Sequence, residues 1–301
     1  MSRDPEIAEA TRARMQAGRR DIHANPETAF EEHRTANVVA NALMLMGLPV
    51  HRGLAGTGVV GTLSNGEGPS IALRADLDAL NMQELGTQAH ASKCVGKMHA
   101  CGHDGHTAML LGAAEHLSRH KPFKGTVHFV FQPAEENEGG GRVMVEEGLF
   151  ETYPVEAVYG MHNWPGLDVG KFAVHAGPVM AAIDLFDIEI EGRGAHAAMP
   201  QQGDDPIVAA GELITAIQTV VSRAADPAEA VVLSITKVHA GNTSNVVPSI
   251  AALHGTCRYF NPAMSEVVEQ RLRRLVDGIC AAHGLKGTLL SLIHISEPTR
   301  Q

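Results

Sequence analysis

The chain has 301 residues, which is enough for two domains of ordinary size. Hydrophobic residues make up 44% and charged residues 19%, a composition that excludes a disordered or fibrous protein, and no apolar run reaches the roughly 18–20 residues of a membrane span. The formal net charge of −10 argues against a nucleic-acid-binding protein, which usually carries a basic surface.

The opening segment, MSRDPEIAEATRARM, is charged and polar and lacks the apolar region of a secretory signal. The four cysteines are scattered without the spacing of a disulfide framework. We therefore expect reduced thiols and a cytoplasmic location. Cys94 lies outside the motifs described below, and we predict no role for it.

The first half of the chain alternates helical and strand patterns. Apolar residues recur at helical spacing from Phe30 to Met46, and Gly47 stands where a helix-terminating glycine belongs. The later predicted elements are strands at 58–63 and 70–75, a helix at 106–117, and strands at 125–131 and 156–161. This alternation predicts an α/β domain with a mostly parallel sheet, in which ligands bind at the carboxyl ends of the strands.

The pattern changes near Gly177 and Pro178, so we place a domain boundary near residue 180. The predicted elements of the second domain are a strand at 182–191, a helix at 206–223, strands at 230–239 and 250–260, and a helix at 264–283. This βαββα order indicates a ferredoxin-like α+β domain that lacks its last strand.

The 17 histidines justify a search for metal ligands, and the densest group lies in Met98–His106 (MHACGHDGH). Thiolate and imidazole bind metals such as zinc, and Cys-x-His in a glycine-containing loop allows Cys101 and His103 to converge on one ion. Asp104 is placed to orient a ligand histidine through its second ring nitrogen. The alternative is a helix entry with incidental histidines.

Two further groups of donors follow buried strands. Glu135 and Glu136 come directly after the strand GTVHFVF, where one carboxylate can bind a metal while the other takes a proton from water. His162 ends the next apolar strand. Adjacent surface glutamates and a structural histidine are the alternatives, but donors at successive strand ends favour a common site.

Other chemical motifs give no support to a competing enzyme class. Gly192–Ala197 (GRGAHA) has the outline of a dinucleotide-binding loop, but Pro200 follows too soon for its glycines to open a helix on a pyrophosphate. The HExxH, GxSxG and P-loop patterns and the zinc-deaminase pattern are absent from the sequence.

Five segments resemble the M20 metallopeptidase family, and within it the amidohydrolase branch, which includes hippurate hydrolases and hydrolases of auxin–amino acid conjugates. The segments are Arg74–Leu80 (RADLDAL), Gly96–Ala114, Phe131–Glu136 (FQPAEE), Gly160–Pro165 (GMHNWP) and Gly192–Pro200 (GRGAHAAMP). The resemblance extends from about Ile22, in DIHANPETAFEE, to about His283.

The resemblance implies a catalytic domain, residues 1–179, that holds two divalent ions, Mn²⁺ or Zn²⁺. By motif position, Cys101, His103, Glu136 and His162 would be the metal ligands, and Glu135 the general base on a bridging water. The implied reaction is metal-dependent hydrolysis of the amide bond of small N-acyl amino acids such as hippurate.

Residues 180–289 would form the lid and dimerisation domain. Here the resemblance implies that His196 polarises the scissile carbonyl, often in the partner subunit's cleft, and that Asn245 and Arg258 contact the substrate, with Arg258 suited to a carboxylate. A turn asparagine and an edge arginine are the alternatives. The implied assembly is a homodimer or homotetramer formed through the lid, without nucleic acid or membrane partners.

Residues 290–301 (LSLIHISEPTRQ) do not resemble the family and read like a translated sequencing adapter, so we expect a non-native tail. The chain would then lack the last strand of the small domain and a segment with a further metal-ligand histidine, for which His294 is no substitute. The alternative function is accordingly an inactive chain that binds metal weakly or serves as an interaction module.

Overall fold

The computed structural model describes residues 9–136, 139–174 and 176–295, with the backbone alone for 291–295. Contacts divide the chain into two units, Met1–Phe172 and Ala173–Gln301. The boundary that the sequence predicts near residue 180 lies a few residues beyond this division. Of the expected tail, residues 296–301 lie outside the described residues.

The described part of the first unit contains helices and strands in alternation. Its helices are α1 (Glu9–Ala24), α2 (His33–Leu45), α3 (His103–His120), α4 (Gly140–Glu146) and α5 (Leu149–Thr152). Its strands are β1 (Val50–Leu54), β2 (Gly58–Asn65), β3 (Ser70–Asp76), β4 (Gly125–Gln132) and β5 (Ala157–Gly160). The predicted elements are confirmed with shifted ends, whereas α1, β1, α4 and α5 were not predicted.

The strands of this unit form one mixed sheet in the order β1-β2-β4-β3-β5. β3 runs parallel to both β4 and β5, while β2 runs antiparallel to β1 and β4. The prediction of a mostly parallel sheet is therefore wrong for the β1–β2 side. The reason is the connection between these strands, residues 55–57, which is too short for the crossover that parallel strands need.

Both faces of the central strand β4 are buried, because helices cover the sheet on either side. Phe129 and Phe131 belong to the core with α2 and α3, whereas Val130 packs with Met144 of α4 on the opposite face. Successive side chains of a strand point to opposite faces, so an almost continuous apolar run is required here. This packing holds the carboxyl ends of β3, β4 and β5 in fixed positions.

The second unit is an antiparallel sheet with two long helices. Its strands are β6 (Ala182–Glu191), β7 (Ala195–His196), β8 (Val231–Ala240), β9 (Val246–Val247), β10 (Ile250–Tyr259) and β11 (Lys286–Ile295). Its helices are a short 3-10 helix (Pro200–Gln202), α6 (Pro206–Arg223) and α7 (Ala263–Ala282). The predicted bounds of β6 and α6 are confirmed.

The main sheet of this unit has the order β11-β6-β10-β8, and the chain order of its elements is βαββαβ. This is the arrangement of a ferredoxin-like unit. The expectation that the last strand is missing is wrong, because β11 pairs antiparallel with β6 from Lys286 to Ile295. Leu289 of β11 and Leu285, just before the strand, are buried. The sequence analysis did not predict this ten-residue strand.

Local signals explain why β6 and α6 were predictable. Burial alternates strictly along β6, as expected for a strand with one covered face. Asp205 caps α6 by accepting a hydrogen bond from the Ile207 amide (2.8 Å), and Pro206 occupies the first helical turn. None of the helices in the described ranges has the length and apolar character to cross a membrane.

Candidate metal centre

The three donor-bearing segments meet at one edge of the first sheet. β4, β3 and β5 are neighbours and run parallel, so their carboxyl ends lie side by side. Asp76 ends β3, Glu135 and Glu136 follow β4, and His162 follows β5. α3 begins at this edge with His103. The fold therefore collects oxygen and nitrogen donors from distant parts of the chain in one place.

Cys101 and His103 reach this edge through a tight turn at Gly102. Gly102 has φ of 91°, and a Cβ atom there would lie 2.6 Å from the side-chain amide of Asn163. Only glycine fits without displacing that amide. The turn places Cys101 Sγ 3.2 Å from His162 Nε2, and Asn163 Nδ2 donates to the Cys101 carbonyl (3.2 Å).

His103 is fully buried, and its two ring nitrogens have different surroundings. Its Nδ1 lies 3.3 Å from Asp78 Oδ1. Its Nε2 lies 3.6 Å from Glu136 Oε1, 3.7 Å from Asp76 Oδ2 and 3.8 Å from Glu135 Oε2.

Within the described part of the chain, neither His103 Nε2 nor Glu136 Oε1 has a hydrogen-bond partner, although both atoms are buried. Buried polar atoms are rarely left unpaired without reason. A metal ion between them would satisfy both, and sulfur, imidazole and carboxylate donors suit zinc and related ions. The residues present therefore fit a metal centre.

Four carboxylates lie within 3.8 Å of the His103 ring nitrogens and give this part of the site a negative electrostatic potential. Burial of the ring lowers the pKa of His103, but the hydrogen bond with Asp78 and the thiol of Cys101 outweigh burial and raise it to about 11. The raised pKa favours the protonated form of His103 near neutral pH. A bound divalent ion would replace that proton.

The carboxylates divide into ionised and less readily ionised members. Burial opposes the ionisation of Asp76, but its hydrogen bond with His106 and the charge of Arg74 hold its pKa well below the ordinary value. Burial raises the pKa of Glu136 despite the nearby His103. A cation beside Glu136 would offset the burial and favour its charged form.

His106 forms hydrogen bonds with two neighbouring segments of the site. Asp76, His103 and His106 lie close enough together to hold an ion. However, His106 Nδ1 lies 2.7 Å from Asp76 Oδ1, and its Nε2 accepts the Asn163 amide hydrogen (3.0 Å). Both nitrogens are engaged, so His106 connects the ends of β3 and β5 through the first turn of α3.

The prediction that Asp104 orients a ligand histidine is wrong. Its Oδ2 accepts from Arg19 Nε (3.1 Å) and lies 3.0 Å from His23 Nδ1, both in α1. Adjacent helical residues point in different directions, so Asp104 cannot face the same side as His103. Asp78, after β3, contacts the His103 ring instead.

Of the candidate residues of the second unit, His196 and Arg258 lie on strands, and Asn245 lies in the turn before β9. His196 is an exposed residue of β7, and its Nδ1 accepts from the Ala198 amide (3.1 Å). Asn245 is brought close to it, because the Asn245 carbonyl accepts from the Ala197 amide (3.0 Å). Arg258 is exposed on β10, where it pairs with Val232 of β8.

Comparison with known families decides the chain's membership. The model of peptidase family M20/M25/M40 matches residues 72–276, a range that contains every predicted metal ligand. The chain belongs to this family. This match confirms the M20 membership expected from the sequence. The matched range includes residues of both units.

Named relatives of this M20 chain include a deacetylase and a hydrolase. It is 42% identical over 273 residues to an N-acetyl-L-cysteine deacetylase of Bacillus subtilis, a match that covers 90% of the chain and 65% of the relative. It is 41% identical over 269 residues to the hippurate hydrolase of Campylobacter jejuni, covering 89% and 70% respectively. The chain thus spans about two thirds of these relatives' length. These matches agree with the expected amidohydrolase branch.

A solved M20 structure has the same fold. It is the Bacillus subtilis YXEP protein, described as a dinuclear metal-binding peptidase, with a TM-score of 0.77 and 38% identity. The match covers 95% of the chain and 75% of that protein. Binding of two metal ions is therefore a property of a close M20 relative.

Three site residues of the M20 chain were not assigned from the sequence: Asp76, Asp78 and His106. The two aspartates stand at alternate positions, Asp76 as the last residue of the buried strand β3 and Asp78 two residues later, which is a usable signal for carboxylates at a strand end. His106 follows His103 by one helical turn and so lies on the same face of α3. Their partners could not be read from these spacings.

Metal binding by the M20 chain should weaken as the pH is lowered. Burial lowers the pKa of His103, but hydrogen bonds with Asp78 and Cys101 outweigh burial and raise the pKa to about 11. The ring is therefore protonated near neutral pH, and a ligand nitrogen must lose its proton. Apparent affinity should therefore fall about tenfold per pH unit for each proton displaced. Titration with Mn²⁺ between about pH 6.5 and about pH 8.5 measures the slope. A His116→Asn variant should keep that slope, and pH-independent affinity would contradict the assignment.

Proposed function

We propose that the chain is the metal-binding part of an amidohydrolase that cleaves the amide bond of N-acyl amino acids. The main support is the pair of buried atoms His103 Nε2 and Glu136 Oε1, which lie 3.6 Å apart beside Glu135 and have no hydrogen-bond partner among the described residues. A metal site with a second adjacent carboxylate has the parts needed for hydrolysis. The first unit is then catalytic and the second a lid.

In this proposal Cys101, His103, Glu136 and His162 hold two divalent ions. Thiolate and imidazole favour Zn²⁺, whereas carboxylates also suit Mn²⁺. When bound, the ions would supply Lewis acidity that polarises the scissile carbonyl and lowers the pKa of the attacking water. Asp78 holds the His103 ring so that Nε2 is directed at Glu136.

Glu135 is the proposed general base. Its side chain is 16% exposed, and Oε2 lies 3.8 Å from His103 Nε2, so it is close to the proposed metal position and partly accessible to solvent. It would take the proton of the attacking water and deliver a proton to the leaving amine. Glu136 is the more suitable ligand, since its Oε1 is buried and has no hydrogen-bond partner in the described part of the chain.

His196, Asn245 and Arg258 are proposed substrate-contacting residues. His196 would polarise the carbonyl oxygen as negative charge develops on it. Arg258 would pair with the amino-acid carboxylate through two parallel hydrogen bonds. The exposure of all three side chains leaves them accessible to a small substrate.

Replacement of His196 by alanine should lower kcat more than it raises KM, because its contact strengthens in the transition state. The loss should be about 10²-fold or more, as for other carbonyl-stabilising groups. Steady-state kinetics on an N-acyl amino acid measures both constants. His239→Ala removes another exposed histidine of the same unit and should change neither. If only KM rises in the His196 variant, the residue binds substrate without stabilising charge.

We also propose that the protein is cytoplasmic and forms a homodimer or homotetramer through the second unit. β8 is an edge strand of the main sheet and exposes Val232 and Val238. The alternative of a non-catalytic binding or interaction module is not favoured, because the named relatives are a deacetylase and a hydrolase.

The test is a panel of N-acetyl and N-benzoyl amino acids, including N-acetylcysteine and hippurate. The protein is loaded with Mn²⁺ or Zn²⁺, and release of the free amino acid is measured with and without a chelator. We expect hydrolysis that the chelator abolishes and that added metal restores. Failure to cleave every member of the panel, with metal bound, would overturn the proposed function.

A further inference from the structure

Ala134, the residue before Glu135, has an unusual backbone conformation. It is completely buried and has φ of 51°, in the left-handed region that a side chain disfavours. Such a conformation persists only where surrounding contacts hold it. Two hydrogen bonds do so: the Ala134 amide donates to Glu32 Oε1 (2.9 Å), and the Ala134 carbonyl accepts from the Gly140 amide (2.9 Å).

Glu32 is a fully buried carboxylate whose two oxygens have separate partners. Oε1 accepts from the Ala134 amide, and Oε2 accepts from the Thr57 hydroxyl (2.7 Å). Glu32 closes the segment DIHANPETAFEE, to which no function has been assigned above. Burial of a carboxylate destabilises the folded state unless the group is hydrogen-bonded. The contact of Glu32 with the Ala134 turn therefore needs an explanation.

The same segment supports the neighbouring loop. The Glu27 carbonyl accepts from the Ala79 amide (2.8 Å), next to Asp78, and Asp78 Oδ2 in turn accepts from the Glu136 amide (3.0 Å). The connection between α1 and α2 therefore contacts both loops that carry the carboxylates of the metal centre.

We propose that Glu32 is a positioning residue of the metal centre, which fixes the Ala134 turn and thereby aims Glu135 and Glu136. The kinetic part of this inference rests on the proposed hydrolase function, whereas the metal-binding part does not. Without Glu32, the Ala134 amide loses its partner and the turn can relax toward an ordinary backbone conformation. Both carboxylates would then move away from His103.

Removal of Glu32 should therefore act at the site itself. Loss of a group that orients a metal-site residue typically costs about 10–100-fold in metal affinity or activity. Displacement of a catalytic group by about 1 Å has effects of similar size. Because Glu32 is fully buried and offers no surface to a substrate, kcat should fall while KM stays within a few-fold.

The experiment compares Glu32→Ala, Glu32→Gln and Thr57→Val by Mn²⁺ affinity, steady-state kinetics and thermal unfolding. Glu32→Ala should bind Mn²⁺ at least about tenfold more weakly and lose kcat. Glu32→Gln still offers an oxygen to the Ala134 amide, so it should recover most of both. Thr57→Val breaks only the other hydrogen bond and should lower the melting temperature with affinity close to wild type. Glu32→Asp, too short to reach both partners, replaces the alanine variant if that folds poorly.

Wild-type Mn²⁺ affinity in a folded Glu32→Ala or Glu32→Asp variant would overturn the proposal. Equal losses of affinity in Thr57→Val and Glu32→Ala would also overturn it, since they would indicate general destabilisation. If the wild-type protein cleaves no N-acyl amino acid, the proposed function fails, but the Mn²⁺ measurements still decide the role of Glu32.

Discussion

Replacement of Glu135 by glutamine should leave the metal content unchanged and reduce turnover by about 10²–10⁴-fold, the usual contribution of a general base. Glutamine has nearly the same shape but cannot accept a proton from water. Metal binding should survive because the assigned ligands, Cys101, His103, Glu136 and His162, remain. Turnover of an N-acyl amino acid and metal analysis of the same preparation measure the two effects.

Two variants make this result specific. Glu146→Gln changes the same charge at an exposed position of α4 and should retain full activity. Glu136→Gln, by contrast, should lose metal together with turnover, because an amide is a poorer metal ligand than a carboxylate. Turnover of Glu135→Gln within a few-fold of wild type would remove the residue from its catalytic role. Loss of metal in the Glu135→Gln variant would indicate that Glu135 is a metal ligand.

The elements that could be predicted are those with a complete local signal. β6 alternates along its whole length, and α6 has an aspartate cap and a proline at its start. β1 has no such pattern, since three of its five residues are exposed. α1 is mostly polar, and its place depends on contacts with α3, such as that between Thr11 and Glu115 (3.0 Å). Its position is therefore set by tertiary packing rather than by periodicity.

The sequence predicted which donor residues the structure brings together, but it did not predict the hydrogen bonds that orient them. Strand ends and family motifs were sufficient to select Cys101, His103, Glu135, Glu136 and His162. The residues that orient them come from pairings between distant segments, such as Asp78 with His103 and Glu32 with the Ala134 amide. No local spacing records these contacts. The expectation for Asp104 failed because it considered sequence adjacency without the direction of the side chain on α3.

Simultaneous replacement of Cys101 and His103 by alanine should abolish stoichiometric metal binding. These residues supply sulfur and nitrogen donors from the two sides of Gly102, and the remaining assigned ligands, Glu136 and His162, would leave a weak site. We expect affinity to fall by more than about 100-fold, beyond the effect of losing an orienting group. Metal analysis after desalting and thermal unfolding with added Mn²⁺ or Zn²⁺ measure the change.

The stabilisation of the folded protein by bound metal has an expected size. A ligand at about 100 times its dissociation constant stabilises the folded state by about 2.7 kcal/mol, so metal should raise the melting temperature of the wild type. The double variant should show no such rise. Cys94→Ala with His116→Ala removes the same residue types from positions without an assigned role and should behave like wild type. Full metal occupancy in the Cys101 and His103 variant would show that the centre lies elsewhere, because no site at this sheet edge could lose both donors and keep its affinity.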